Sequence, residues 1–282
     1  MSEEMNNYST PATSATPALI IYLLDVSGSM FEPCGDSTKI EVVTNSLRKM
    51  VVKMVQRSTK GAVVSPRYRI AMFAYTNYVT DLLDGILTID DLAQRGIPKL
   101  TPLDMTNTQA AFEEAEKLLN KELNNLQQSP APLICHMTDG EYNMGDPTDV
   151  VKRIMEISVP DGKVLIENIF ISNDALASPI DDPKAWSGLT NTEQLSDIYA
   201  RKLFEMSSPL PESYLDALGE MGYKNFKAGS RMMLPGNNPE MVELGFVMSA
   251  ATKLTESPQV STSTDEEADI AQEVEEETNS DD

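Results

Sequence analysis

Short apolar runs alternate with longer amphipathic segments along most of the chain. The apolar runs have the length of buried strands, and the amphipathic segments repeat apolar residues at helical spacing. The predicted strands are residues 19–24, 68–74, 79–83, 133–137 and 163–172. The predicted helices are residues 39–56, 109–126, 149–157, 192–206, 212–219 and 239–253. The alternation predicts an α/β fold with a doubly wound, Rossmann-like, mostly parallel sheet and helices on both faces.

One connection predicts a change of strand direction. Only residues 75–78 separate the second and third predicted strands, and so short a connection does not allow a parallel crossover. We therefore expect a hairpin that adds one antiparallel edge strand to the sheet. Residues 92–103 are predicted as a loop because glycine and proline interrupt them. A last edge strand is predicted at residues 231–234.

Negative charge is concentrated at the carboxyl-terminal end. The net charge is −22, and eleven Asp or Glu residues but no Lys or Arg follow residue 253. We predict one domain over residues 18–254, a flexible tail over residues 1–17 and a disordered acidic tail over residues 255–282. The acidic tail is expected to keep the protein in solution, and its alternative role is to dock a basic partner. Such a charge argues against binding to nucleic acid or to an anionic membrane.

The sequence also bears on cellular location. No run approaches the roughly 18 consecutive apolar residues that a membrane span requires. Residues 1–17 have neither the basic region nor the apolar stretch of a secretory signal. We therefore expect a cytoplasmic protein in which Cys34 and Cys135 stay reduced, and two cysteines do not make a zinc site.

Polar side chains follow two predicted strands and precede one predicted helix. Asp25, Ser27 and Ser29 come after the first strand. Asp139 comes after the strand that ends at residue 137, and Thr106 precedes the second helix. Because the carboxyl ends of parallel strands lie at one edge of a sheet, these residues are expected to gather there. Two carboxylates and three hydroxyls form an oxygen-only site that suits Mg²⁺ or Mn²⁺ rather than zinc.

The order Asp-x-Ser-x-Ser, Thr and Thr-Asp-Gly resembles the metal-ion-dependent adhesion site of the von Willebrand factor A (VWA) family. The resemblance extends over most of the predicted domain. It implies that Ser27, Ser29 and Thr106 ligate the metal directly or through water. It implies that Asp25 and Asp139 act mainly through water, by orienting the hydroxyls and balancing charge. It also implies an open coordination position that a carboxylate of a partner protein fills.

One part of the motif departs from the family pattern. Families of this kind usually have two glycines before the threonine, whereas Asp104 and Met105 precede Thr106 here. The bulkier loop is expected to shift Thr106, and Asp104 is expected to add negative charge to the site. Thr108 is the alternative ligand. A further alternative is that the hydroxyls only cap loops and helices and bind no metal.

Three functions are compatible with such a site. The first, which we favour, is a non-enzymatic, metal-dependent module that binds a partner protein. Its resemblance to intracellular bacterial VWA proteins, including the TerY-like group, implies work with a kinase, a phosphatase or an AAA+ ATPase in stress or defence signalling. The other two are a metal-dependent hydrolase and a structural subunit in which the metal only stabilises loops.

Few other residues suggest catalysis. The sequence contains no nucleophile-elbow motif and no P-loop motif. His136 is the only histidine, and we predict that it is a core residue rather than a catalytic base. Met30, Phe31, Tyr142 and Met144 follow the candidate metal loops. There they either form an apolar rim for a protein partner or pack the loops against the domain.

Overall fold

A central sheet of seven strands separates two hydrophobic cores. The structure is a computed structural model that describes residues 8–103, 105–140 and 142–254. The strands, β1 to β7 in chain order, are Ala18–Asp25, Tyr68–Tyr75, Val79–Asp81, Leu87–Thr88, Leu133–Thr138, Leu165–Phe170 and Met233–Pro235. Their order across the sheet is β7-β6-β5-β1-β2-β3, and β4 also pairs with β2.

Strand directions agree with the predicted fold class. Neighbouring strands run parallel except at β2, where β3 and β4 pair antiparallel. The predicted antiparallel hairpin is therefore confirmed, and the two-residue strand β4 adds a second antiparallel pairing that was not predicted. The predicted last edge strand is β7, which pairs parallel with β6. The doubly wound, mostly parallel α/β fold is confirmed.

Helices cover both faces of the sheet. The helices, α1 to α7 in chain order, are Lys39–Ser58, Ile89–Arg95, Thr108–Glu122, Thr148–Glu156, Ile198–Glu205, Ser213–Glu220 and Pro239–Met248. Residues of α1, α2, α6 and α7 belong to one core, and residues of α3, α4 and α5 belong to the other. Along β1, Ile20 and Tyr22 face the first core while Leu19 and Ile21 face the second. A strand buried on both faces has a continuous apolar sequence, as β1 does.

Short ribbons and turns connect these elements. The two-stranded ribbons are Pro33–Cys34 with Ser37–Thr38, Thr59–Lys60 with Val63–Val64, and Ser158–Val159 with Gly162–Lys163. The 3₁₀ turns are Gly28–Phe31, Leu123–Leu126 and Thr192–Gln194. Cys34 and Cys135 are buried free thiols. None of the helices in the described part of the chain combines the length and the apolar character that crossing a membrane requires.

Helix α1 begins where a capping box fixes its first turn. The backbone N–H of Thr38 donates to the Glu41 carboxylate at 2.9 Å, and the Thr38 hydroxyl accepts from the backbone N–H of Glu41. This reciprocal pair satisfies two backbone donors at the helix start. Lys39 is consequently the first helical residue. Leu47 and Met50 on the predicted inner face are fully buried.

The loop prediction for residues 92–103 was wrong at its beginning. Residues 92–95 belong to α2, a helix that buries only Ile89 and Leu92. Such a short helix has too few turns to produce a periodic apolar pattern in the sequence. Gly96 follows the helix with a φ of +79°, a conformation that favours glycine, so the helix ends there.

The helix predicted over residues 192–206 is interrupted. A 3₁₀ turn occupies its first part, and α5 begins only at Ile198. The Asp197 carboxylate accepts a hydrogen bond from the backbone N–H of Ala200 at 2.8 Å and caps the new helix. Helical spacing predicts a buried Ile198, yet its side chain is 64% exposed because the restart of the helix changes its orientation.

Part of the segment predicted as a flexible amino-terminal tail lies against the domain. Ala12 is fully buried, and its backbone N–H donates to the Lys253 carbonyl at 2.8 Å. The two ends of the described chain therefore pair with each other. Residues 1–7 and the predicted acidic tail, residues 255–282, lie outside the described residues.

Candidate metal centre

The carboxyl ends of β1 and β5 lie side by side at one edge of the sheet. Leu24 of β1 pairs with Met137 of β5 in parallel register. The chain passes from β1 to α1 on one face and from β5 to α4 on the other, so the two connections diverge here. In doubly wound folds such a divergence leaves the crevice in which ligands bind. Asp25 ends β1 and Asp139 follows β5, which brings both predicted carboxylates to this crevice.

A chain of hydrogen bonds joins four of the five predicted residues. The backbone N–H of Ser27 donates to Asp25 Oδ1 at 2.9 Å. The hydroxyls of Ser27 and Ser29 are 3.0 Å apart, and Ser29 Oγ donates to Asp139 Oδ1 at 2.8 Å. Because the Ser29 proton is directed to Asp139, the Ser27 hydroxyl donates to Ser29. The Asp-x-Ser-x-Ser loop and the Thr-Asp-Gly loop are thus directly connected.

The loop that carries Thr106 is fixed to the same edge by its backbone. The N–H of Leu103 donates to the Val26 carbonyl at 2.7 Å, and the N–H of Asn107 donates to the Thr76 carbonyl at 2.7 Å. Thr106 itself is buried. Among the described residues, no hydrogen bond joins its hydroxyl to the other four. The fifth predicted ligand is therefore near the crevice by loop position and not by a direct contact.

The alternative ligand Thr108 has a different environment. It is the first residue of α3, is buried, and its hydroxyl lies beside the Tyr75 phenol. Asp104, which stands where the family pattern has glycine, lies outside the described residues. Of its neighbours, Met105 is 41% exposed, so the side chain that replaces the second glycine faces solvent.

Asp25 is a buried carboxyl group without a cationic partner. Its side chain is fully buried, and within the described ranges it forms no ion pair. Thr138 Oγ1 donates to Asp25 Oδ2 at 2.7 Å. Burial raises the pKa of Asp25 to about 6, with a further increase from the Asp139 charge, while the Thr138 and Ser27 hydrogen bonds oppose the rise. The ionised form therefore lacks a compensating positive charge.

Asp139, in contrast, has a cation beside it. Lys39 Nζ lies 2.7 Å from Asp139 Oδ2 and 2.6 Å from Glu32 Oε2. Burial lowers the pKa of Lys39, but its bonds to Asp139 and Glu32 outweigh this and raise the pKa overall. Lys39 was missed as a site residue in the sequence. The predicted helix start at residue 39 was the available signal, because it places this lysine at the carboxyl edge of β1.

Replacing Lys39 with methionine is expected to lower the free energy of unfolding of the metal-free protein by about 3 kcal/mol. The Asp139 side chain is only 1% exposed, so it would remain as a buried and uncompensated charge. Mg²⁺ is expected to restore part of the loss. Urea denaturation in EDTA and in Mg²⁺ measures both effects. The control is Lys49→Met, which breaks the exposed pair with Glu243 and should cost at most about 1 kcal/mol. Equal losses in the two variants would contradict the assignment.

His136 is a core residue, as predicted. Its ring is fully buried on β5, with Nε2 2.7 Å from the Tyr75 hydroxyl and Nδ1 2.7 Å from Asn168 Oδ1. Burial lowers the pKa of His136 to about 4, although the Asn168 contact favours the charged form. Both nitrogens are occupied and neither reaches solvent. The ring therefore has no free position for proton transfer to a substrate.

The donor atoms at the crevice fit a hard divalent cation. All of them are oxygens, from two carboxylates and from serine and threonine hydroxyls, which are the ligands that Mg²⁺ and Mn²⁺ prefer. Within the described ranges, no group of three His, Cys, Asp or Glu side chains forms a metal site by itself. A cation here would therefore depend on the hydroxyls of Ser27 and Ser29. A cation would also compensate the buried charge of Asp25.

Exposed apolar side chains surround this edge. We call the group the apolar rim and define it as Phe31, Tyr78, Leu103 and Met105. Their exposed fractions are 60, 56, 48 and 41%, respectively. Phe31 follows the serine loop, Tyr78 lies in the β2–β3 turn at the carboxyl edge, and the other two belong to the Thr106 loop.

The residues predicted to follow the metal loops divide between the two roles considered. Phe31 belongs to the apolar rim, whereas Met30 is fully buried and packs the loop against the domain. Tyr142 and Met144 are half-buried. The Tyr142 hydroxyl accepts a hydrogen bond from Lys202 Nζ at 2.8 Å, which joins the loop after Asp139 to α5.

Comparison with known proteins gives matches in structure and none in sequence. No protein-family model matches the chain, and a search of curated proteins gives no match. Solved structures similar to it include the PilB minor pilin of Streptococcus sanguinis (TM-score 0.50, 11% identity, covering 86% of this chain and 64% of that chain). A von Willebrand factor type A structure from Catenulispora acidiphila has a TM-score of 0.48 and 15% identity, covering 84% of this chain and 42% of that chain.

A third similar structure is the vWF domain of the pilus tip protein Mfa5 of Porphyromonas gingivalis, with a TM-score of 0.35 and 22% identity. The match covers 45% of this chain and 39% of that chain. In all three cases the match spans less than two thirds of the solved chain. At these identities the likeness concerns the fold alone. Of these three matches, the one to PilB has a TM-score of 0.50, and at 11% identity it shows a likeness of fold alone.

Proposed function

We propose that this chain is a non-enzymatic protein-interaction module whose binding depends on a divalent cation. The Ser29 hydrogen bond to Asp139 carries the proposal, because it joins the two loops of the predicted motif at the crevice between β1 and β5. Ser27, Ser29 and Thr106 would hold Mg²⁺ or Mn²⁺, with Asp25 and Asp139 orienting the hydroxyls and balancing charge. When bound, the cation supplies a positive centre for a partner's carboxylate.

The apolar rim supports a protein as the partner. Aromatic and methionine side chains are more frequent in the centres of protein interfaces than on the rest of the protein surface. The four side chains of the apolar rim lie around a polar crevice. If a partner buried them, water would be excluded from the contact between the cation and the partner's carboxylate. A cation that is shielded in this way contributes more to recognition than an exposed one.

The two alternatives lack an observation of this kind. A hydrolase that uses the same cation needs a general base, and the only histidine is buried with both ring nitrogens engaged. A purely structural cation would not need an exposed apolar surface around it. Chelation should abolish partner binding in the proposed module, turnover in a hydrolase, and only thermal stability in a structural subunit.

The finer parts of the proposal rest on the resemblance to intracellular bacterial VWA proteins. They are a cytoplasmic location, a role in stress or defence signalling, and a kinase, phosphatase or AAA+ ATPase as the partner that supplies the acidic residue. Two of the similar solved proteins are named as pilus proteins, so location needs a direct test. Fractionation of the native host with antibody detection tests the location. Recovery of the protein outside the cytoplasm would overturn the proposed cytoplasmic location.

An affinity pull-down from the native host tests the function. The expected result is a partner that the chain captures in Mg²⁺ and loses in EDTA, identified by mass spectrometry. The variant Phe31→Ser with Tyr78→Ser removes half of the apolar rim and should reduce capture. Its control is Val52→Ser with Val63→Ser, which removes two similarly exposed apolar side chains elsewhere. Capture that persists in EDTA, or equal losses in both double variants, would contradict the proposal.

A further inference from the structure

A cavity lies in the connection between β6 and α5, on the β7 side of the sheet. Its volume is about 660 Å³, and thirteen residues between positions 176 and 194 form its lining. This volume is within the range of about 300–1,000 Å³ that is usual for ligand pockets. None of the candidate metal ligands contributes to the lining. The cavity is therefore a site separate from the candidate metal centre.

Backbone contacts hold the walls of this cavity. The N–H of Ala177 donates to the Gln194 carbonyl at 2.9 Å, which closes the segment on itself. The N–H of Arg231 donates to the Leu189 carbonyl at 2.7 Å and fixes the segment next to β7. The rings of Trp186 and Phe226 pack nearly perpendicular to each other, with their centroids 5.3 Å apart. The cavity is consequently a formed feature of the fold.

The lining combines apolar and acidic side chains. Leu176, Ile180 and Leu189 line the cavity together with the half-buried indole of Trp186. Such a lining offers an aromatic ring and an aliphatic surface to the same ligand. Aromatic faces attract cations, and arginine in particular stacks on them.

Three carboxylates also line the cavity, and the three residues that carry them are exposed. They belong to Asp181, Asp182 and Glu193, and in the described part of the chain none of them forms an ion pair. Asp182 Oδ1 accepts a hydrogen bond from the backbone N–H of Lys184 at 2.9 Å, but Lys184 is not part of the lining. The cavity therefore presents negative charge beside an apolar surface, and its lining, as far as the chain is described, contains no Lys or Arg to balance that charge.

We propose that this Trp186 cavity, defined by the seven lining residues named above, binds an arginine side chain of a protein partner, in a segment where an aliphatic residue adjoins the arginine. The guanidinium would stack on the Trp186 indole and donate to the carboxylates, and the aliphatic neighbour would contact the leucine and isoleucine side chains. Arginine suits the site better than lysine because its planar fork can stack and also bind carboxylates.

Charge decides between a partner and the chain itself as occupant. The segment from residue 255 onward carries eleven acidic residues and no basic one, so the negative rim of the cavity would repel it. A second copy of this chain carries the same net charge of −22. A basic protein segment is attracted by the same field, which also favours its encounter with the cavity.

Trp186 provides a direct test because it is the only tryptophan of the chain. We would titrate the full chain with acetyl-Leu-Arg-amide and follow tryptophan emission. The matched probe is acetyl-Leu-citrulline-amide, which has nearly the same shape but no charge. We expect a saturable change with the arginine peptide and binding weaker by about tenfold or more with the citrulline peptide. Free arginine is expected to bind more weakly than the peptide because it lacks the aliphatic neighbour.

Two double variants control for net charge. Asp181→Asn with Glu193→Gln removes two cavity carboxylates and leaves the Asp182 turn intact. This double variant should bind the arginine peptide about tenfold more weakly. Glu205→Gln with Asp216→Asn removes two carboxylates outside the lining and should leave the affinity unchanged. The absence of an emission change, equal binding of both peptides, or equal effects of the two double variants would overturn the proposal. If free arginine binds as tightly as the peptide, the claim that the ligand is a protein segment would be overturned.

Discussion

Replacing Asp25 with asparagine is expected to stabilise the metal-free protein near neutral pH by about 1–3 kcal/mol. The reason is that burial raises the pKa of this carboxyl to about 6, so its ionised form is unfavourable in the folded state. Asparagine keeps an acceptor for the Ser27 N–H and can donate to the Thr138 hydroxyl, while it removes the charge. A residue that costs stability in this way is expected where a cation normally compensates the charge.

The measurement is urea denaturation of both proteins in EDTA and in Mn²⁺. In EDTA the variant should be the more stable protein above pH 6, and the difference should disappear below about pH 4, where the parent carboxyl is protonated in both states. In Mn²⁺ the parent should gain stability and the variant should not. Asp174→Asn, at an exposed carboxylate, should change neither result. A variant less stable than the parent at neutral pH in EDTA would contradict this account of Asp25.

His136 is expected to cause a large loss of stability in acid. Its pKa is lowered to about 4 in the folded protein, against an ordinary value of 6.5. The unfolded chain therefore takes up a proton first as the pH falls below 6.5. Folding loses about 3 kcal/mol of stability between pH 6.5 and pH 4 through this one group. Above pH 6.5 the contribution is fully present, because the ring is neutral in both states.

The variant His136→Gln isolates this effect because the chain contains no other histidine. Carboxyl groups titrate in the same pH range, but they do so in both proteins. The difference between the two unfolding free energies, measured from pH 8 to pH 4, is therefore expected to change by about 3 kcal/mol in favour of the variant as the pH falls. The variant should be the less stable protein near pH 7. A difference that stays constant over this range would show that His136 is not a neutral core group.

The central elements of the fold could be predicted because their patterns are long or continuous. The strand that ends at Asp25 is apolar from residue 18 to residue 24, with alternate side chains facing the two cores. Helix α1 repeats its buried residues at helical spacing over several turns. The hairpin followed from a connection that is too short for any other direction. Helix α2 could not be found in this way, since it buries only two residues. The restart of α5 depends on the Asp197 cap, a local hydrogen bond that competes with the periodic pattern.

The candidate site was predictable in its members and not in its electrostatics. Strand ends indicated Asp25, the two serines and Asp139, and the hydrogen bonds join these four. Which carboxylate has a cation beside it depends on tertiary packing. The first turn of α1 brings Lys39 to Asp139, and no cation of the described residues pairs with Asp25. The orientation of Met30 into the core is likewise a result of the 3₁₀ turn that follows Ser27.

The most direct test of the metal centre is calorimetric titration of the parent and of Ser29→Ala with Mn²⁺ and Mg²⁺. We expect one binding event per parent chain. The affinity should be lower by about tenfold or more in the variant, because loss of the Ser29 hydroxyl would remove a proposed ligand and the hydrogen bond that joins the two loops. Ser65→Ala, at a serine before the amino end of β2, serves as the control and should bind like the parent. No heat of binding in the parent, or equal affinity in Ser29→Ala, would contradict the metal centre.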